Sequence, residues 1–162
     1  MALPAYYSSI KDMPHEHRFE NSDGESTYHR TGMITEAGMV CWRHLTTGYT
    51  MADMAPDKHF HPNDMLIYVV KGRCEMVLYG TDKYVMEEDS AIYVPPNAPH
   101  YLETIDDEDC YLMEIFAPQL NHYLYVAEHQ TAAVAPPRQA DGSREKGWDW
   151  DQFAGQRPPA DS

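Results

Sequence analysis

Three histidines are the residues in this chain whose types and spacing are best suited to chemistry. His59 and His61 are separated by one residue, and His100 follows a proline-rich segment, 94–99, further along the chain. Side chains at positions i and i+2 point the same way only in an extended strand, because side chains alternate there. If the sheet folds back so that His100 reaches the other two, their nitrogens surround one point. The spacing therefore predicts a three-histidine metal site.

Such a site has a definite chemistry. Three neutral imidazoles leave the full charge of a divalent ion in place and at least one coordination position open. An ion of this kind is a strong Lewis acid that polarises a carbonyl or acidifies a bound water. Imidazole suits zinc, iron, nickel, copper and manganese, so the donor set leaves the choice among these metals open.

The elements that must position these histidines are short β-strands. From Met39 onward, β-prone runs alternate with turn residues. The predicted strands are 39–47, 49–54, 65–70, 73–79, 83–86, 91–94, 100–104 and 110–116. This spacing is typical of an all-β sandwich or barrel. One short helix is predicted within 119–130, where apolar residues recur at helical spacing.

Changes in composition along the chain indicate the domain organisation. Residues 1–35 are polar and are predicted to form an irregular N-terminal arm, and 36–127 form the barrel. Residues 128–162 are rich in Ala, Pro, Gly and charge, which indicates an extended tail. Trp148, Trp150 and Phe153 in this tail suggest that it docks on the barrel or on a second subunit.

Two segments around the histidines resemble the two sequence motifs of the cupin superfamily. Segment 59–72 contains His-x-His, a turn and a strand ending in Gly72, and segment 89–100 contains a strand, a proline-rich turn and a histidine. The resemblance covers about residues 40–118. It implies a jelly-roll barrel, also called a double-stranded β-helix, that holds a divalent metal between its sheets.

The chain departs from the cupin motifs at four positions. Met65 stands where the family has a metal-binding glutamate, and Asp53, Asp89 and Asn97 stand at glycine positions. Asp and Asn adopt left-handed turn conformations more readily than most residues, so these three changes are compatible with the fold. Met65 is interpreted as apolar pocket wall. Asp64 is an alternative ligand if the turn bulges.

Three-histidine sites that lack the glutamate are similar to those of cupin dioxygenases that cleave β-diketones and related ketones. The resemblance therefore implies a non-haem iron dioxygenase, with Fe²⁺ as the expected cofactor, acting on a small, largely apolar carbonyl or enol compound. Two alternatives remain open. One is a Zn²⁺ or other divalent-metal isomerase, cyclase or lyase, and the other is a non-enzymatic barrel that binds a small molecule or a metal.

The alternation of side chains along each strand predicts which residues line the pocket and which are candidate catalytic groups. The expected lining is apolar and suits an apolar or aromatic molecule. It consists of Trp42, Met54, Met65, Ile67, Met76, Leu78 and Leu102. Glu114 lies in an apolar run and either faces the metal as a base or faces solvent. Tyr93 is a candidate donor to a substrate oxyanion, and His44 is a candidate pocket residue or partner of a metal ligand.

Composition excludes several function classes. The formal net charge of −14 argues against nucleic-acid binding, which requires clustered Lys and Arg. No apolar run approaches a membrane span, and no secretion signal is evident, so a cytoplasmic location is expected. Cys41, Cys74 and Cys110 are expected to be reduced core thiols. Small barrels often cover exposed sheet edges by pairing, which predicts a symmetric homodimer.

Overall fold

The structure, a computed structural model, describes residues 5–51 and 59–130. Within these ranges nine strands form two antiparallel sheets. The strands are β1 (Glu16–Glu20), β2 (Ser26–Ile34), β3 (Met39–Leu45), β4 (Asp64–Lys71), β5 (Cys74–Leu78), β6 (Asp82–Met86), β7 (Ala91–Val94), β8 (His100–Thr104) and β9 (Cys110–Ala117). The larger sheet has the order β1-β2-β3-β9-β4-β7, and the smaller has the order β6-β5-β8. This is the predicted all-β jelly-roll, a double-stranded β-helix.

Most of the predicted strands are confirmed to within two residues at each end. The strands predicted at 91–94 and 100–104 are β7 and β8 with the same bounds. The strand predicted at 49–54 is reduced to an isolated bridge between Thr50 and Glu103. Its last residues lie outside the described part of the chain, as does the tail from 131 onward. The predicted helix is a 3₁₀ segment, Asn121–Ala127, and no helix in the described ranges is long and apolar enough to cross a membrane.

The prediction of an irregular N-terminal arm is wrong for residues 16–34. This part of the chain forms the hairpin of β1 and β2, which extends the larger sheet by two strands. The hairpin does not look β-like in sequence because its interior residues include charged ones. Arg30 on β2 is only 1% exposed, and its Nη2 lies 2.5 Å from Oε2 of Glu16 on β1. A buried ion pair thus takes the place of the expected apolar alternation.

The barrel interior is formed by alternate residues of the strands that follow. On β4, Met65, Ile67 and Val69 are buried while their neighbours face outward. On β9, Leu112 and Phe116 occupy the same interior. Burying each such side chain contributes about 1.5–3 kcal/mol, so this apolar interior is the main source of stability. It also forms the wall against which the histidines are placed.

The turn that joins β4 to β5 requires glycine at position 72. Gly72 has φ +82°, and a Cβ at this position would lie 2.0 Å from the carbonyl oxygen of Asp109. The larger sheet also shifts register between Val69 and Lys71, just before this turn. Backbone conformation and backbone contact therefore both demand a residue without a side chain.

We expect Gly72→Ala to destabilise the fold more than the matched change Gly24→Ala. Gly24 has a similar φ of +78°, but no atom lies within 4 Å of a Cβ placed there. Gly24→Ala should cost about 1–2 kcal/mol for the left-handed conformation alone. Gly72→Ala should cost about 1–3 kcal/mol more, because the Asp109 backbone must move. Denaturant unfolding measures both free energies, and equal losses would contradict this account of the turn.

Candidate metal centre

The three histidines meet at one point in the barrel. The His59 ring centroid lies 4.8 Å from that of His61 and 4.8 Å from that of His100, and the remaining pair is 5.2 Å apart. One nitrogen from each ring lies within 4.8 Å of the others. The predicted convergence of residues that are far apart in sequence is therefore confirmed.

Two backbone hydrogen bonds bring the segments together. The His100 N–H donates to the His59 carbonyl at 2.9 Å, and the Asn97 N–H donates to the His61 carbonyl at 2.7 Å. Asn97 has φ +62°, a conformation that asparagine adopts more readily than most residues. The proline-rich turn is thus joined to the His-x-His segment at two points. This holds although asparagine replaces the glycine of the family motif.

The protonation of His100 is also determined by its surroundings. Its Nδ1 lies 2.8 Å from the Ala98 carbonyl oxygen, which can only accept, so Nδ1 carries the proton. The lone pair is therefore on Nε2. Burial lowers the pKa of His100, which favours the neutral ring. A neutral imidazole oriented by a carbonyl through its other nitrogen is a typical metal ligand.

Aromatic rings form one wall of the centre. The His61 ring packs edge-to-face against Phe116 at 5.5 Å and Tyr123 at 5.8 Å. The guanidinium of Arg30 lies 3.9 Å from the centroid of the Tyr123 ring, so Tyr123 connects this buried cation to the histidines. In the sequence, Tyr123 is only one of the apolar residues at helical spacing in the helix predicted within 119–130. Its helical spacing is the only signal in the sequence, and it does not indicate that the 3₁₀ segment folds onto the site.

Met65 is interior pocket wall, and Asp64 is not positioned as a ligand. Met65 is 1% exposed and pairs in register with Val94 and Phe116. Asp64 points to the opposite face, where its Oδ1 accepts a hydrogen bond of 2.6 Å from the Tyr93 hydroxyl. The proposed role of Tyr93 as an oxyanion donor is therefore wrong. Tyr93 is 55% exposed and lies on the outer surface of the barrel.

Five of the seven predicted pocket residues are in the interior. These are Met65, Ile67, Met76, Leu78 and Leu102. Met54 lies outside the described residues. Trp42 is placed wrongly by the sequence analysis, because on β3 it is Cys41, Arg43 and Leu45 that face inward.

His44 shares the outer face with Trp42 and is also not a pocket residue. Its Nε2 lies 2.8 Å from Oδ2 of Asp109, and its ring stacks on Tyr111 at 4.2 Å. The error concerns which of the two alternating sets of residues on β3 faces the interior. A strand reading Cys-Trp-Arg-His was expected to place its aromatic residues inside, whereas the structure places the arginine inside.

Arg43 points inward because it pairs with Glu114 in the barrel interior. The Arg43 Nη1 donates a short hydrogen bond to Oε1 of Glu114, and its Nη2 donates to the Tyr49 hydroxyl at 3.2 Å. Burial lowers the pKa of Arg43, but Glu114, Tyr28 and Tyr49 together outweigh burial and raise the pKa above its ordinary value. Glu114 is 4% exposed, so of the two orientations left open by sequence the inward one is correct.

The Arg43–Glu114 pair lies close enough to His100 to shift its pKa. The charge of Glu114 raises the pKa of His100 and the charge of Arg43 lowers it, both being smaller effects than burial. Arg43 was not identified from sequence as a site residue. A lone arginine between apolar and aromatic neighbours on a strand is ordinarily assigned to the solvent face.

These residues fit a divalent transition metal. The donor set is three imidazole nitrogens, one of which has its proton held on the nitrogen that faces away from the others. No other His, Cys, Asp or Glu of the described ranges joins this cluster. A cation here keeps its full charge because the three donors are neutral, and the interior carboxylate Glu114 is paired with Arg43.

The fold and the family are supported by comparison with known proteins. The cupin domain family model matches residues 50–116, and no curated protein sequence matches the chain. KdgF from a Halomonas species is similar in structure, with a TM-score of 0.57 and 19% identity over 72% of this chain and 96% of that one. An RmlC-like cupin from Shewanella frigidimarina gives 0.53 and 19%, over 73% and 95%. The structure of FeII HppE gives 0.56 and 12%, over 69% and 60%.

At these identities the structural neighbours establish the fold. The family model independently covers the segment that contains all three histidines. Together, the matched domain, the double-stranded β-helix and the converging imidazoles support a cupin domain in this part of the chain.

Proposed function

We propose that this protein is a metal-dependent enzyme that acts on a small, largely apolar carbonyl or enol compound. The observation that carries the proposal is the convergence of His59, His61 and His100 within 4.8 Å, against an interior wall of apolar side chains. When bound, a divalent ion would supply Lewis acidity and open coordination positions for substrate oxygens. The similar structures of KdgF and FeII HppE support a cupin fold as a setting for such a site.

The apolar interior would select the substrate. Leu78 pairs in register with His100, and Met76 pairs with Leu102 next to it, so aliphatic side chains surround the histidines. A substrate with a hydrophobic body would bury that body here and direct its oxygens to the imidazole cluster. A sugar or a polyanion would leave many polar groups without partners in this interior.

Glu114 is the proposed proton acceptor. It is an interior carboxylate that forms an ion pair with Arg43. A carboxylate close to the metal ligands can accept the acidic proton next to a substrate carbonyl, which produces the enolate. Arg43 would position Glu114 by holding one of its two oxygens, which leaves the other to approach the substrate.

Within this class we propose a non-haem iron dioxygenase of the diketone- or ketone-cleaving type, by resemblance to cupins whose sites hold three histidines and no glutamate. Met65 at the glutamate position supports this assignment. The second candidate is a zinc isomerase, cyclase or lyase. The interior carboxylate Glu114 favours that candidate, because proton transfer without oxygen is the step that such reactions share.

The metal and the reaction class can be tested together. The purified protein should contain about one transition-metal ion per chain by elemental mass spectrometry. His100→Ala should lose most of it, because two imidazoles remain, while His129→Ala, which removes an imidazole outside the cluster, should keep it. With Fe²⁺ bound, oxygen uptake on a panel of β-diketones and hydroxyaryl ketones should appear in the wild type and not in His100→Ala.

Other outcomes discriminate between the alternatives. Bound zinc with isomerisation or cleavage of a panel compound in the absence of oxygen uptake would support the zinc enzyme. Bound metal with no conversion of any compound would favour a binding protein. Metal content unchanged in His100→Ala would overturn the three-histidine centre itself.

We expect Glu114→Gln to keep the metal and lose about 10²–10⁴-fold in turnover, the usual contribution of a general base. Loss of one partner from a buried ion pair costs about 3–5 kcal/mol, so stability must be measured in parallel. The double variant Arg43→Met with Glu114→Gln removes both charges and should recover stability without recovering activity. A folded, metal-loaded variant without Glu114 that turns over at the wild-type rate would contradict the assignment.

We also propose a symmetric homodimer. Leu66 and Tyr93 are exposed on the outer face of the larger sheet, and β1 and β7 are its edge strands. Two copies can cover this apolar surface with the same patch on each. Size-exclusion chromatography with light scattering should give twice the chain mass, and Leu66→Glu should give the monomer. A wild-type protein that elutes as a monomer would contradict the proposal.

A further inference from the structure

A row of ring side chains crosses the outer face of the larger sheet. His17 on β1 pairs in register with His29 on β2, His29 with His44 on β3, and His44 with Tyr111 on β9. We call these four residues the outer histidine row. Because directly opposed side chains on antiparallel strands lie close together, the row places three imidazoles side by side on a surface that the proposed chemistry does not use.

The first two imidazoles of the row meet nitrogen to nitrogen. Nδ1 of His17 lies 2.6 Å from Nδ1 of His29. Two nitrogens that both carry a proton cannot face each other at this distance, so at least one of them presents a lone pair to the other ring. His17 is exposed and His29 is half-buried, so the space beside the two nitrogens is open to solvent on one side.

The rest of the row holds His29 in place. The His29 ring stacks on the His44 ring at 5.3 Å, and the His44 ring stacks on Tyr111 at 4.2 Å with an interplanar angle of 7°. Nε2 of His44 is bound to Asp109, whose Oδ1 in turn accepts from the Thr47 N–H at 2.9 Å. His29 therefore lies on a fixed stack rather than on a mobile surface, which lowers the entropy cost of binding a ligand.

We propose that His17 and His29 form a second metal site, selective for a tetragonal transition-metal ion such as Cu²⁺, on the outer face of the sheet. Two nitrogens about 2.0 Å from one ion at about 90° to each other lie about 2.8 Å apart, whereas tetrahedral angles place them about 3.3 Å apart. The observed 2.6 Å is closer to the first value. Small side-chain rotations are enough to admit the ion at two adjacent equatorial positions, with water at the others.

The position of His29 supports this assignment, because its ring is half-buried and stacked on His44 while its Nδ1 faces His17. The Irving–Williams order favours Cu²⁺ over the other divalent ions for an imidazole pair. This site is separate from the three-histidine centre, because His61 and His100 are buried inside the barrel while the row lies on its outer surface.

Cu²⁺ titration of the full-length protein tests the proposal, with calorimetry for stoichiometry and electron paramagnetic resonance for the ligands. The wild type should bind one Cu²⁺ equivalent at the three-histidine centre and one more outside it, the second with an axial spectrum and hyperfine structure from two imidazole nitrogens. His17→Ala and His29→Ala should each lose only that second equivalent. His129→Ala is the matched control and should keep both.

The variants also separate this site from the three-histidine centre. His61→Ala with His100→Ala should lose the interior equivalent and keep the axial signal of the outer one. Persistence of that signal in His17→Ala, or its absence from the wild type, would overturn the second site whatever the activity of the protein. Circular dichroism should show the wild-type β-sheet spectrum for His17→Ala and His29→Ala, since both side chains lie on the outer face of the sheet.

Discussion

The metal centre depends on the pairing of two distant backbone segments. The His100 N–H bonds the His59 carbonyl and the Asn97 N–H bonds the His61 carbonyl, so the proline-rich turn and the His-x-His segment are joined on both sides of the cluster. Backbone bonds of this kind position side chains more firmly than side-chain contacts, because few rotatable bonds separate the hydrogen bond from the ring. The imidazoles are thus placed by the fold before any ion arrives, which is what a preorganised site requires.

The barrel around this centre is not purely apolar. Two arginines lie inside it, Arg30 paired with Glu16 and Arg43 paired with Glu114. Each pair joins two neighbouring strands. Removing one partner would strongly destabilise the fold, because the other charge would stay buried without compensation. Arg30 also carries the Tyr123 ring that packs on His61, so the N-terminal hairpin and the 3₁₀ segment both support the site. The charges of Arg43 and Glu114 also shift the pKa of His100, so they contribute to the electrostatics around the histidines.

The two faces of the larger sheet divide the chemistry of the protein. The inner face combines the apolar wall with the interior ion pairs. The outer face carries the outer histidine row, in which His44 stacks between His29 and Tyr111 and is hydrogen-bonded to Asp109. Because successive side chains of a strand point to opposite faces, residues that are adjacent in sequence lie on different surfaces. Arg43 and His44 are adjacent in the chain, yet one contacts Glu114 inside the barrel and the other forms part of the outer row.

The sequence by itself determined the three converging histidines and the strands from β3 onward, because these follow from local spacing and apolar alternation. It did not determine the β1–β2 hairpin, where Arg30 and Glu16 replace apolar interior residues, or the inward face of β3, where Arg43 displaced the expected Trp42. An arginine is assigned to solvent unless its partner is known. That partner, Glu114, lies far along the chain and comes next to Arg43 only when β3 and β9 pair, so this part of the site was decided by the tertiary structure.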